Sequence, residues 1–155
     1  MPKRLSIEID PKWFIPAVIL YLLLIMSIFA HAQEYVNMDI VIEIESNWRE
    51  SAVNRHSKAT GLGQITPIAL KDFNYYNGTS YALCDMKDAQ RNMRVSYWFL
   101  NDRIPQMLKH YGLPINTKTI LWAYNAGIGR VRQGIMPKET IYYIIKYNTL
   151  IKEVR

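Results

Sequence analysis

Between Trp13 and Ala30 runs an 18-residue stretch that carries no charge. A helix packed on a soluble core keeps a polar face for solvent, and this run has none. It follows a short polar start containing Lys3, Arg4 and Lys12, and it ends at Ala30-His31-Ala32. Small residues at that spacing suit a signal peptidase. The stretch is long for a signal core and at the lower edge for a membrane span. The Ala-x-Ala site favours cleavage after Ala32 over an uncleaved anchor. Both readings give one orientation, since the next Lys or Arg after the run is Arg49, and positive charge stays on the cytoplasmic side. The division expected is therefore a signal peptide or membrane anchor over 1–32 and a folded domain over 33–155. That domain lies outside the cytoplasm, in the periplasm or cell envelope, and is tied to the inner membrane if the leader stays on.

Composition narrows the partners. The chain of 155 residues has 19 Lys+Arg against 13 Asp+Glu, a formal net charge of +6. Such a balance favours polyanions: nucleic acid, anionic lipid or anionic cell wall. The basic residues are scattered rather than gathered in a stripe, and together with the export signal this argues against nucleic acid. One cysteine, Cys84, excludes an internal disulfide. His56 and His110 stand far apart with no ligand pattern, so no metal and no cofactor is expected.

From Gln33 onward the pattern is mostly helical. Met38 to Ser46 is ambiguous: Ile40, Ile42 and Ile44 alternate as in a strand, while Ile40, Val41 and Ile44 fit one helical face. Thr66-Pro67 opens a helix, threonine as N-cap and proline at the first position. Asn74 to Ser80 is a polar turn, which leaves room for a small hairpin over 74–84. Asp85 to Tyr111 is the longest helical pattern, with Ala89, Met93, Tyr97, Leu100 and Ile104 expected to face the core. Pro105 should interrupt it. Thr117 opens another helix that stops near Gly127-Ile128-Gly129, and Pro137-Lys138-Glu139 leads into a last one. Trp48, Trp98 and Trp122 read as packing residues, with sugar stacking an alternative for Trp48.

The chemistry concentrates at Glu45. Ile40, Val41, Ile42 and Ile44 precede it, and a carboxyl among apolar neighbours keeps its proton, as a general acid must. Gly61-Leu62-Gly63-Gln64 follows, a turn whose glycines let backbone approach a ligand closely. Further on stand Ala123-Tyr124-Asn125-Ala126-Gly127, and then Glu139-Thr140-x-x-Tyr143.

The order and spacing of these three segments, over residues about 37–150, resemble the soluble-lytic-transglycosylase-like (SLT) domain. The resemblance implies a mainly α, lysozyme-like α+β fold, one small helical domain that cuts peptidoglycan. It implies Glu45 as the single catalytic acid/base and Ser46 as the serine after it in the cleft. Gln64, Tyr124, Asn125 and Tyr143 become substrate-binding or cleft residues. Glu43 is close, but the Glu-Ser pair and the distance to Gln64 select Glu45. The implied reaction breaks the bond between N-acetylmuramic acid and N-acetylglucosamine without water, as the muramic acid's own 6-hydroxyl closes a 1,6-anhydro ring. The implied partner is the glycan strand, with an envelope-spanning secretion or conjugation machine as a candidate setting.

Three departures from the family pattern stand out. Gly63 replaces the usual methionine, which should leave room in the cleft floor or loosen the turn. Lys58 stands where glycine is common, and Arg49-Glu50 replaces a frequent Asn-Pro. No second carboxylate flanks the motifs obviously, although Asp72, Asp85 or Asp88 could approach in space. Two alternatives stay open: a lysozyme-type muramidase, which hydrolyses the same bond, and a non-catalytic wall-binding assembly protein.

Overall fold

The computed structural model describes residues 16, 18–22 and 36–153. Pro16 and residues 18–22 are helical. The leader, its cleavage site and most of the apolar run lie outside the described residues. No helix among the described residues is long and apolar enough to cross a membrane.

Tyr35–Arg155 forms one compact unit. Its helices are α1 (Met38–Ser46), α2 (Pro67–Asn77), α3 (Ala89–Trp98), α4 (Ile104–His110), α5 (Thr117–Ala126), α6 (Ile128–Arg132) and α7 (Lys138–Glu153). A 3₁₀ turn, Leu83–Lys87, precedes α3, and a π-helical segment, Phe99–Arg103, joins α3 to α4. Among the described residues the β content is two isolated bridges, Val53 with Thr60 and Thr60 with Ile65. The domain is therefore mainly helical, and the β part expected of an α+β fold shrinks to one looped segment.

Helix α1 resolves the ambiguity at Met38–Ser46. Asn37 caps it, its side chain accepting from the amides of Asp39 and Ile40. Ile40, Val41 and Ile42 are all buried, so alternation was not the governing pattern. The helix ends where Asn47 turns left-handed at φ 51° and donates its N–H to the Glu43 carbonyl. The Asn37 amide donates to the Tyr147 hydroxyl at 2.7 Å, which ties the start of α1 to α7.

Two sequence expectations are corrected. The hairpin over 74–84 does not form. Gly78, left-handed at φ 61°, instead caps α2 by donating to the Asn74 carbonyl, so Asn77-Gly78 ends a helix rather than turning a strand. The face of the long helical pattern is also rotated. Met93 and Tyr97 are exposed, while Asn92, Val95 and Ser96 are buried. Counting apolar residues missed this, because two of the buried positions are polar. Leu100 and Ile104 are buried as expected. Pro105 exerts its effect upstream: it has no N–H to give the i−4 carbonyl, and the helix passes through the π segment just before it.

Two apolar clusters make the core. One gathers α1 with α4 to α7 around Val41, Leu108, Leu121 and Tyr147. The other packs Ile65, Leu70, Phe73, Met86 and Val95. Phe99 touches both clusters.

Candidate active site

A cleft of about 410 Å³ is lined from both clusters: Ile65 and Ala69 on one side, Ile104 and Ala123 on the other. Glu45 reaches it from the last turn of α1, Gln64 from the glycine turn, Tyr124 and Asn125 from α5, and Glu139 from the first turn of α7.

The floor is the turn Thr60–Ile65. Its ends pair with each other, Thr60 N–H to Ile65 carbonyl and the reverse, both at 3.0 Å. Asn92, fully buried, holds it to α3. Its Nδ2 donates to the carbonyls of Thr60 (2.9 Å) and Met86 (2.8 Å). Its Oδ1 accepts from the Gly63 amide at 2.8 Å and from Ser96 Oγ at 3.3 Å. This explains Gly61: at φ 78° and with a Cβ position 1.9 Å from the Met86 carbonyl oxygen, nothing larger fits. Gly63 has a different reason. A Cβ there would lie 2.0 Å from Ser96 Oγ and 2.9 Å from the Tyr124 hydroxyl. The missing methionine therefore leaves no extra room, contrary to the sequence expectation. The space is filled from below by Ser96 and from the side by Tyr124, whose hydroxyl donates to the Gly63 carbonyl at 2.7 Å.

Glu45 is the electrostatic centre. Its pKa is raised from 4.5 to about 7, first by burial, against which a polar contact from Tyr143 works, and further by the charge of Glu139. Tyr143 is 7% exposed, and burial with the Glu45 charge beside it raises its own pKa well above the usual phenol value. Among the described residues its hydroxyl makes no hydrogen bond of standard geometry, although Glu45 lies near enough for the two groups to shift each other's pKa. Burial, and next the Glu45 charge, likewise raises the Tyr124 pKa.

Four of the six sequence candidates line the cleft: Glu45, Gln64, Tyr124 and Asn125. Tyr143 lies beneath it, against Glu45. Ser46 departs from expectation: it is 2% exposed and donates to the Ile42 carbonyl at 3.3 Å, so its hydroxyl closes α1 rather than facing the cleft. Glu43 is not a cleft residue. The three aspartates are engaged elsewhere: Asp72 with Arg103, Asp85 with Arg91, and Asp88 as the N-cap of α3. The second carboxylate of the cleft is Glu139, which sequence reasoning overlooked although it stood inside a quoted motif. Asn92, Ser96 and Thr140 were also missed. Each is a buried polar residue on a helix, and no local signal separates such a residue from a solvated one. Among the described residues no cluster of His, Cys, Asp or Glu is built to hold a metal.

The other departures have local causes. Lys58 takes φ 60°, the region glycine occupies without cost, and donates its amide to the Asn54 carbonyl at 2.9 Å. Arg49 Nε donates to the Ser46 carbonyl at 3.0 Å and closes the end of α1. Trp48 is exposed by half and also left-handed, so it is not a packing residue.

The sequence model of the transglycosylase SLT domain matches residues 28–141, most of the chain, which therefore belongs to that family. The family association supports action on peptidoglycan. No curated protein gives a match, and neither does any solved structure.

Proposed function

We propose that this protein is a lytic transglycosylase that cleaves the bond between N-acetylmuramic acid and N-acetylglucosamine, with Glu45 as its one acid/base. The observation that carries this reading is a carboxyl group in a cleft whose pKa is raised to about 7. Near neutral pH such a group can give a proton and take one back. Glu45 protonates the glycosidic oxygen as the C1–O4 bond breaks. The carboxylate left behind accepts the proton of the muramic acid's 6-hydroxyl as that oxygen bonds to C1. Cleavage consumes no water, and the acid returns to its starting state. The nucleophile belongs to the substrate, so little entropy is lost in bringing it up.

A second reading, the muramidase, is favoured by Glu139 in the cleft wall. Two carboxylates flanking a glycosidic bond are the usual equipment for hydrolysis. In the transglycosylase reading the charge of Glu139 favours the proton on Glu45. Digestion of purified peptidoglycan separates the two, since an anhydro product is lighter than a hydrolysed one by one water.

The setting belongs to the same proposal. Lys3, Arg4 and Lys12 before the apolar run, and none of their kind until Arg49, support a leader over 1–32 that puts the domain 33–155 in the periplasm or envelope. An export-dependent reporter fused after Arg155 should be active, and a reporter that works only in the cytoplasm should be silent.

A further inference from the structure

Two side-chain amides line the cleft, and the protein fixes which end of each is available there. Gln64 Nε2 donates to the carbonyls of Gly61 at 2.9 Å and Ala52 at 3.3 Å. Both partners can only accept, so the nitrogen end is committed to them. Oε1, an acceptor, is the end left over. Asn125 is held the other way round. The Thr140 hydroxyl, fully buried, donates to Asn125 Oδ1 at 2.7 Å. That hydroxyl makes no other hydrogen bond among the described residues. Turning the amide over would strand its buried proton, which is costly. Nδ2, a donor, is therefore the end left over. The bond from Tyr124 to the Gly63 carbonyl holds the two neighbouring residues on facing segments.

We propose that Thr140 is a positioning residue: it sets Asn125 as a donor opposite the acceptor of Gln64, and the pair selects sugars that carry an amide. An acetamido group offers both complements at once, its N–H to Gln64 and its carbonyl to Asn125. A sugar hydroxyl at the same carbon has one oxygen for both roles, where the acetamido group has separate donor and acceptor atoms. This rests on the glycan reading of the cleft. Without the Thr140 hydroxyl the Asn125 amide is free to turn, and the polarity of the pair is lost.

The test compares two neutral probes of equal length on the full-length protein: the β-1,4 trimer of N-acetylglucosamine and the β-1,4 trimer of glucose. Dissociation constants come from calorimetry or NMR titration, without reliance on turnover. The wild type should bind the acetylated trimer about tenfold or more tightly, as one or two net hydrogen bonds allow. Thr140→Val, nearly isosteric, should erase most of that ratio, and Thr140→Ser should keep it. Asn125→Asp, which leaves acceptors only, should erase it as well and serves if Thr140→Val does not fold. An unchanged ratio in folded Thr140→Val or in Asn125→Asp overturns the proposal, as does a wild type without preference. Preference without any glycan cleavage would support this inference and count against the activity alone. Cleavage without preference would do the reverse.

Discussion

Tyr124 donates its hydroxyl to the Gly63 carbonyl across 2.7 Å, although the two residues are 61 apart in the chain. The bond joins the glycine turn to α5, and with Asn92 beneath it the Gly63 peptide is gripped on both sides. Gly63→Ala should therefore be destabilising by about 1–3 kcal/mol, as overpacking usually is. Thermal denaturation of Gly63→Ala alone and with Ser96→Gly checks this. The second change removes the nearest obstruction, so the double variant should melt higher than expected from adding the two single losses. Simple additivity would show that Ser96 does not exclude the side chain.

Glu139 and Tyr143 act on Glu45 in opposite senses. The charge of Glu139 raises the Glu45 pKa, so Glu139→Gln should lower it. The alkaline limb of the kcat/KM profile, where the acid loses its proton, should move to lower pH. A profile that stays in place would mean that Glu139 does not sense Glu45.

The Tyr143 contact lowers the same pKa, so Tyr143→Phe should move that limb to higher pH. Turnover should fall about ten- to a hundredfold, the worth of a hydrogen bond to a charged group that tightens as Glu45 ionises during the reaction. Stability should barely change, because the hydroxyl lacks a well-formed hydrogen bond among the described residues. A variant that melts early yet keeps full activity per folded molecule would make Tyr143 structural.

How much of this was legible beforehand depended on where each signal lived. Caps and breakers act locally, so Thr66-Pro67 and the interruption at Pro105 could be read from a few residues. Glu45, Gln64, Tyr124, Asn125 and Tyr143 were nominated through their motifs, and the fold brings the first four to one cleft. Ser46 shared a motif but turned inward, because at the end of α1 its hydroxyl bonds back to the Ile42 carbonyl. Asn92 and Ser96 lie on α3, some thirty residues from the turn they hold, and only the folded chain reveals what they satisfy. For that reason the face of α3 was misjudged and Gly63 was read as leaving room or loosening the turn.

The raised pKa of Glu45 also predicts how stability depends on pH. An ordinary carboxyl near 4.5 in the unfolded chain titrates near 7 in the folded one, so between these values the folded protein holds the extra proton. Stability contributed by protonated Glu45 is full below about 4.5 and is lost as pH rises through 7. Glu45→Gln should therefore gain on the wild type as pH rises, by up to ~3 kcal/mol above neutrality. Equal melting curves of the two proteins at pH 5 and pH 8 would contradict a buried, proton-holding carboxyl.

The most direct measurement is the mass of the muropeptides released from purified peptidoglycan by the wild type and by Glu45→Gln. A positioned acid/base contributes ~10²–10⁴-fold in rate, so the folded variant should release almost nothing. The wild type should release products ending in 1,6-anhydro-N-acetylmuramic acid. Products one water heavier, with a free reducing end, would contradict the transglycosylase account and turn attention to Glu139. Undiminished release by Glu45→Gln would remove Glu45 from the chemistry altogether.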